Sequence, residues 1–241
     1  MLNRDVSCSI REERERIRSV YARRVQTVPA GRHARVDPAT LCTIAEREQA
    51  MAALFRGAGL ESLANLRILE VGCGRGSMVR HLLNYEAQPA RLFGLDLREE
   101  QIHEAHRLGP HLQFTCADAA NLPFGSESFD LILQFTVFTS VLSDVVKCKM
   151  AAEFLRVLVP GGKVLWYDFA VNNPRNHDVR GIGSAEIRRL FPRCIFDFRR
   201  VTLLPPLARH VARISPVFYH ILAALRILST HYLCLLEKKC P

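Results

Sequence analysis

Ile68-Leu69-Glu70-Val71-Gly72-Cys73-Gly74-Arg75-Gly76 sets three glycines within five residues, directly after a short apolar run. The run from Ile68 to Val71 reads as a strand, and the residues from Ser77 to Asn84 as a helix. Glycines between them let the backbone turn sharply and come close to a bound molecule that any Cβ would push away. Taken alone, this is a nucleotide-binding turn of unspecified kind. A dinucleotide fingerprint runs G-x-G-x-x-G or ends in alanine. In this chain the third glycine comes one position early, and Ser77 stands in the last place. That spacing disfavours NAD and FAD. Asp96, at the end of the next apolar run, is placed to accept both hydroxyls of a ribose, because an ionised carboxylate only accepts hydrogen bonds. NAD enzymes share this feature, so it does not discriminate.

Outward from that turn, short apolar segments alternate with helices, the pattern of βαβ units and a parallel sheet. Strands are expected over 68–71, 92–96, 112–116, 129–135 and 163–169, with helices over 77–84, 99–107 and 144–158. The run 129–135 is almost continuously apolar, as expected of a strand covered on both faces. A short helix from Ser184 to Phe191, a strand over 194–202, a helical segment over 207–228 broken near Pro216, and a last strand over 231–236 complete the chain. That ending can close the sheet as an antiparallel hairpin. Upstream, 43–57 reads as an amphipathic helix stopped at Gly57 or Gly59. The Arg-rich stretch before Pro38 carries Ile10, Ile17, Val20 and Tyr21 near helical spacing, and Pro29 and Gly31 break it. The fold class is therefore α/β, a single domain in which a helical cap over 1–60 precedes the main body over 61–241. No internal repeat argues for a second independent unit.

Composition bounds the partners. With 241 residues, 49% of them hydrophobic and 24% charged, the chain can bury a real core. Its formal charge of +9 gathers between Arg4 and Arg35 and between Arg188 and Arg213. Such a surface suits an anionic partner, or is simply solvated. The eight cysteines form no C-x-x-C pair, which leaves zinc and redox motifs unsupported and points to reduced thiols in a cytoplasmic protein. No metal is expected. The start of the chain lacks the apolar core of a secretory signal. The apolar stretch 216–228 contains His220 and Arg226 and is too short to cross a bilayer.

Between Ile68 and Asp168 the chain resembles the class I S-adenosylmethionine (SAM)-dependent methyltransferases of the bacterial small-molecule type. The resemblance is carried by the turn at 70–76, Asp96, Asp118-Ala119, Leu122-Pro123-Phe124, Ser128-Phe129-Asp130 and Leu158-x-Pro160-Gly161-Gly162, in that order. It implies a doubly wound seven-stranded, mostly parallel sheet of order 3-2-1-4-5-7-6, with an antiparallel last strand, N-terminal helices and a helical insertion before that strand. It also implies that SAM binds and leaves as S-adenosylhomocysteine. The residues Glu70, Gly72, Cys73, Gly74 and Gly76 would lie along its methionyl part, and Asp96 with Leu97 at the ribose. Asp118 and Ala119 would meet the adenine, and the backbone at Gln134 and Phe135 the methionyl amino group.

The acceptor side is less determined. The stretch after the fourth strand lacks the Asp/Asn-Pro-Pro-Tyr and Pro-Cys motifs of base-methylating relatives. Phe138, Thr139 and Ser140 are candidates for a pocket wall or for simple packing. After the fifth strand, a polar loop offers His177 as a base and Arg175 and Arg180 as clamps for an anionic group. The same residues also suit an exposed turn. Asp168 and Tyr21 are further catalytic candidates. A bacterial subgroup shares Trp-Tyr-Asp-Phe at 166–169, Asn-Asn-Pro-Arg-Asn at 172–176 and Thr-His-Tyr-Leu at 230–233, but relatives carry proline at the position of His177. The stretch around Tyr21-Ala22-Arg23-Arg24 is expected as a lid or a solvated helix. Residues 207–228 are expected to pack on the core or cap the acceptor, and their mixture of apolar and basic residues also suits a membrane surface. The reading is methyl transfer to a small molecule, with a hydroxyl of a sugar, glycoside or secondary metabolite as the acceptor. RNA or protein methylation, a non-catalytic SAM-binding protein and a dehydrogenase are the alternatives.

Overall fold

The computed structural model describes residues 2–27, 37–174 and 176–240, with side chains of the first segment described from 8 to 24. The break expected at Pro29 and Gly31 lies outside the described residues.

Seven strands form one sheet: β1 (Ile68–Val71), β2 (Leu92–Asp96), β3 (Gln113–Cys116), β4 (Phe129–Phe135), β5 (Leu158–Phe169), β6 (Cys194–Leu203) and β7 (Ser229–Lys238). Their spatial order is β3-β2-β1-β4-β5-β7-β6. The first five run parallel, while β7 is antiparallel to both β5 and β6. β6 therefore runs in the same direction as β5. The fold is the expected seven-stranded, mostly parallel sheet, wound on both faces. β5 starts earlier than the pattern suggested. Leu158 already pairs with Phe129, and a register shift then carries the chain past Pro160, Gly161 and Gly162 before regular pairing resumes at Lys163. A bulge absorbs the proline, which cannot donate to a ladder.

Helices α3 (Ser77–His81), α4 (Glu99–Leu108) and the middle of α2 (Pro38–Gly57) cover one face of the sheet through Met78, Ile102, Met51 and Phe55. α5 (Asp144–Val157) and α6 (Ser184–Leu190) cover the other, where Phe138, Phe154, Trp166 and Phe191 pack together. Against this second face lies α1 (Leu2–Thr27), which half-buries Ile10 and Ile17. α7 (Pro205–Ile214) and α8 (Pro216–Ala224) form the insertion between β6 and β7 and pack on the start of α2. That helix begins five residues before the expected Thr43. Asp37 caps it, its Oδ2 accepting from the Thr40 amide at 2.9 Å, and Pro38 takes the first helical position.

The glycines after β1 serve two different ends. A Cβ on Gly72 would meet Val137 Cγ2 at 2.4 Å, and one on Gly76 would meet the Phe114 ring at 2.6 Å. At Gly74 the nearest atom would be Gln101 Oε1, at 3.8 Å. All three have positive φ. Gly72 and Gly76 are thus demanded by the protein's own packing, and Gly74 alone presents an open backbone face. We predict that Gly76→Ala lowers the unfolding free energy by about 2–4 kcal/mol, from left-handed strain plus overpacking. Gly57→Ala, at a position with nothing within 4 Å and ordinary φ, serves as the control, and stability there stays level or rises slightly. Urea denaturation of both variants checks this, and equal losses would contradict it.

Candidate functional site

In a parallel sheet the chain leaves every strand at the same edge, and ligands collect there. At this edge the turn after β1 is tied to the end of β2. The amides of Gly72 and Cys73 both donate to the Leu95 carbonyl, at 2.7 and 2.9 Å. The Gly74 amide donates to Asp96 Oδ2 at 2.9 Å, and the Arg98 amide to Oδ1 at the same distance. Asp96 is thus held in one rotamer, with lone pairs remaining toward the space beyond.

That space is a cavity of about 230 Å³. Asp96 and Leu97 form one wall, and Asp118 and Ala119, just past β3, another. Asp118 closes its own turn by accepting from the Ala120 amide at 2.8 Å. The roof is α1, whose residues Ile10, Glu13, Arg14, Ile17 and Tyr21 line the cavity at helical spacing. Glu13 fastens this roof. Its carboxylate accepts two hydrogen bonds from Arg16, at 2.9 and 2.8 Å, and one from the Leu142 amide. Burial is the largest influence on Glu13 and opposes its charge. The Arg16 hydrogen bonds, the Leu142 and Ser143 amides and the Arg16 charge together outweigh it and hold the carboxyl below its ordinary value. Arg16 also donates to the Ser140 carbonyl. The Tyr21 hydroxyl meets Ser140 Oγ at 3.0 Å, and its ring lies under the Arg98 guanidinium at 4.5 Å.

A second, more open cavity shares Gly72, Gly74 and Phe135 with the first and reaches Glu70, Cys73, Arg47 and His81. Glu70 accepts from the Val79 amide at 3.1 Å, capping a helix whose own N-cap, Gly76, has no side chain to offer. Burial pushes the Glu70 carboxyl up to about 8. Burial also pushes the Cys73 thiol far up, so it is an inert wall. Arg47 lies over the rings of Phe135 and Tyr167, each at 5.4 Å. Arginines line both cavities: Arg14 and Arg98 the first, and Arg47, Arg75 and Arg80 the second. Their guanidinium groups suit an anionic or strongly accepting group.

Not every expected residue reaches this space. Gly76 and Gln134 line neither cavity. Gln134 is fully buried, its Oε1 accepting from the Val137 amide at 3.1 Å. Phe138 sits in the core against Trp166 at 4.6 Å, and Thr139 is equally buried. Asp168 is fully buried and accepts from the Thr139 amide and hydroxyl and from the Phe169 amide. This carboxyl holds the loop after β4, with no opening toward either cavity, and burial pushes it up to about 7. Arg180 pairs with Asp144 and Glu186 beside the buried Lys147, so its charge is already matched. His177 is exposed and lines neither cavity. Arg175 lies outside the described residues. Of the acceptor-side candidates, Tyr21 and Ser140 reach the cavity. Arg14, Glu13, Arg98 and Arg47 were not singled out in the sequence. The only signal for the first two was their place on the stripe with Ile10, Ile17 and Tyr21.

A family model described as a methyltransferase domain matches residues 68–162. Residues 68–162 are thus similar to methyltransferase domains, and the sheet around them has the Rossmann-like fold of that structural class. The match starts at β1 and ends inside β5, so it contains the glycine turn, Asp96 and Asp118, while α1, α2 and everything after Gly162 lie outside it. A phthiotriol/phenolphthiotriol dimycocerosates methyltransferase of Mycobacterium ulcerans is 34% identical over 139 residues, covering 54% of this chain and 48% of that protein. A tRNA N(3)-cytidine methyltransferase of Gallus gallus is 28% identical over 117 residues, covering 45% of this chain and 31% of that one. The chain thus spans less than half the length of each of these relatives. The solved structure of a SAM-dependent methyltransferase from Methanosarcina mazei superposes with a TM-score of 0.59 at 18% identity, covering 78% of this chain and 98% of that one.

Two buried carboxyls, Glu70 and Asp168, are raised far above their usual range. A carboxyl whose value rises on folding binds its proton more tightly in the folded state. Its stabilisation is therefore complete below the unfolded value and is lost as pH climbs to the folded one. For Glu70 that window runs from 4.5 to about 8, and for Asp168 from 3.8 to about 7. Stability is expected to fall as pH rises through these ranges. Glu70→Gln keeps an oxygen for the Val79 amide but cannot ionise, so its stability should fall less steeply. Urea denaturation across the window measures both slopes, and parallel slopes would refute the assignment to Glu70.

Proposed function

We propose that the chain is a SAM-dependent methyltransferase acting on a small-molecule acceptor. One observation carries the proposal above all: a cavity at the carboxyl edge of the sheet joins Asp96, Asp118 and the open face of Gly74 beneath an apolar roof. These residues fit an adenosine attached to a zwitterionic amino acid. Asp96 retains lone pairs for the ribose hydroxyls. Asp118 and Ala119 stand where an adenine would lie, against the apolar walls of Leu97 and Ile17. The neighbouring cavity supplies Arg47, whose guanidinium suits a carboxylate. Phe135 lines both cavities and joins them.

SAM supplies a methyl on a positive sulfur for in-line displacement, so alignment of the acceptor is the enzyme's main task. In this reading α1, within a cap of residues 1–60, roofs the cofactor in the domain of residues 61–241 and keeps water from it. Tyr21 and Ser140 are the polar groups on the acceptor side of that roof. The apolar character of the cavity and the dimycocerosate-directed relative both favour a small molecule, and we assign a hydroxyl of a sugar, glycoside or secondary metabolite as the methylated group. RNA methylation is the second reading, favoured by the tRNA-directed relative and the +9 charge.

Isothermal titration with SAM, S-adenosylhomocysteine and NAD(H) tests the assignment. Both adenosyl ligands should bind and NAD(H) should not. Asp96→Ala should weaken the adenosyl ligands by about tenfold or more, the worth of hydrogen bonds to a charged group. Failure of folded protein to bind either adenosyl ligand would overturn the proposal, and binding of NAD(H) instead would point to a dehydrogenase.

A further inference from the structure

The insertion between β6 and β7 has two unlike faces. Its inner face is pinned. Ala208, Val211, Ala212 and Ala223 pack against the start of α2, and the Tyr219 hydroxyl donates to Glu46 Oε2 at 2.7 Å. The outer face is apolar and uncovered: Ile214, Val217, Phe218, Ile221, Leu225 and Ile227 are each more than half exposed. Elsewhere among the described residues, Leu41 and Ile195 alone among the large aliphatic and aromatic side chains reach that level. Such a concentration marks an interaction site, whereas scattered apolar residues do not. α8 is apolar nearly all round, though it lies at the surface, and a helix of that kind needs something other than water on its free side.

Charge selects the occupant. From Phe198 to Leu236 the chain contains no aspartate or glutamate, and Arg209, Arg213 and Arg226 are exposed on the same insertion as the apolar side chains. The Thr40 amide lowers the carboxyl of Asp37, the cap of α2, and the charges of Arg213 and Arg209 are near enough to lower it further. Apolar groups accompanied by exposed arginines match the boundary between acyl chains and anionic headgroups. A second copy of this chain matches less well, because a two-fold contact sets a patch against itself and would oppose these arginines with like charges. No described helix is long and apolar enough to cross a membrane. Sheet direction fixes where the patch sits. β6 ends and β7 begins at the edge where β1, β2 and β4 end, so the patch and the cavity share one side of the molecule.

We propose that the outer face of α7–α8 seats the protein on an anionic membrane surface, its apolar side chains below the headgroups and its arginines at the phosphates. This surface does not depend on methyl transfer. If both readings hold, an acceptor dissolved in the leaflet is presented to the edge that carries the cavity.

Co-sedimentation of the full chain with vesicles tests the surface. Vesicles of equimolar phosphatidylglycerol and phosphatidylcholine should retain the protein, phosphatidylcholine alone should retain it weakly, and added salt should release it. Combining Phe218→Asp with Ile221→Asp should weaken retention by about tenfold or more, and so should Arg209→Gln with Arg213→Gln. These side chains are exposed, so both variants should keep the wild-type unfolding midpoint, which rules out misfolding as the cause. Equal retention on both vesicle types, retention on neither, or a dimer in light scattering that Phe218→Asp dissolves would overturn the proposal.

Discussion

The position of the turn after Val71 governs the rest of the site, and hydrogen bonds to the end of β2 set that position. Leu95 supplies one carbonyl to two successive amides, and Asp96 supplies a carboxylate oxygen to a third. Three amides in a row would otherwise point into a cavity unpaired, which a buried backbone does not tolerate. Asp96 consequently has two duties. It closes the turn with part of its acceptor capacity and faces the cavity with the remainder. A carboxylate is the side chain that can do both, since it brings four lone-pair sites and no competing donor.

Around this fixed point, the loop after β4 is held just as firmly. Thr136 adopts φ of 58°, a costly conformation for a β-branched residue. Its amide donates to the Tyr167 carbonyl at 2.8 Å and its hydroxyl to the Phe135 carbonyl at 2.7 Å, and the loop beyond it is clamped by Asp168 through Thr139. The next residue, Val137, lies against Gly72, where a Cβ would not fit. Two loops that belong to different βα units thus brace each other over the mouth of the site, and α1 is fastened on top through Glu13, Arg16 and Tyr21. Asp168 contributes by position alone: a buried carboxyl with three donors around it orders the loop whose Ser140 the roof touches.

Much of this was legible before any coordinates. The strands β1, β2 and β4 follow from apolar runs with turn chemistry at their ends, and the sheet order from the resemblance. The elements that shifted did so for local reasons. Asp37-Pro38 is a helix start whose periodic apolar pattern begins only later, and Pro160 hides a strand that tolerates it by bulging. Site residues divide along the same line. Asp96 ends β2, and Gly74 and Asp118 lie three and two residues past β1 and β3, so sequence order fixes their spatial order. Arg47 and Arg14 come from helices outside the βαβ pattern, and no spacing rule links residue 14 to residue 96. Phe138 and Arg180 show the converse difficulty. Both follow strands at the correct edge, yet one faces a core of aromatics and the other is neutralised by Asp144 and Glu186, contacts that depend on α5 and α6.

The charged side chains lining the two cavities carry the asymmetry of the site. Glu13, Asp96 and Asp118 line the first together with Arg14 and Arg98, so carboxylates outnumber arginines there. Arg47 stands on the other side of Gly72, stacked on two aromatic rings and near Glu70, a carboxyl that burial keeps largely protonated at neutral pH. Arg75 and Arg80 line this second cavity together with Arg47, so it is net positive whether or not Glu70 is ionised, where the first is net negative. A molecule that spans both must be electron-rich at one end and offer hydroxyl or amine donors at the other. A protonated Glu70 sharpens this polarity without creating it. Charge counting along the sequence does not show it, because Arg47 comes from α2, Arg80 from α3 and Arg75 from the glycine turn, and only the fold sets the three side by side.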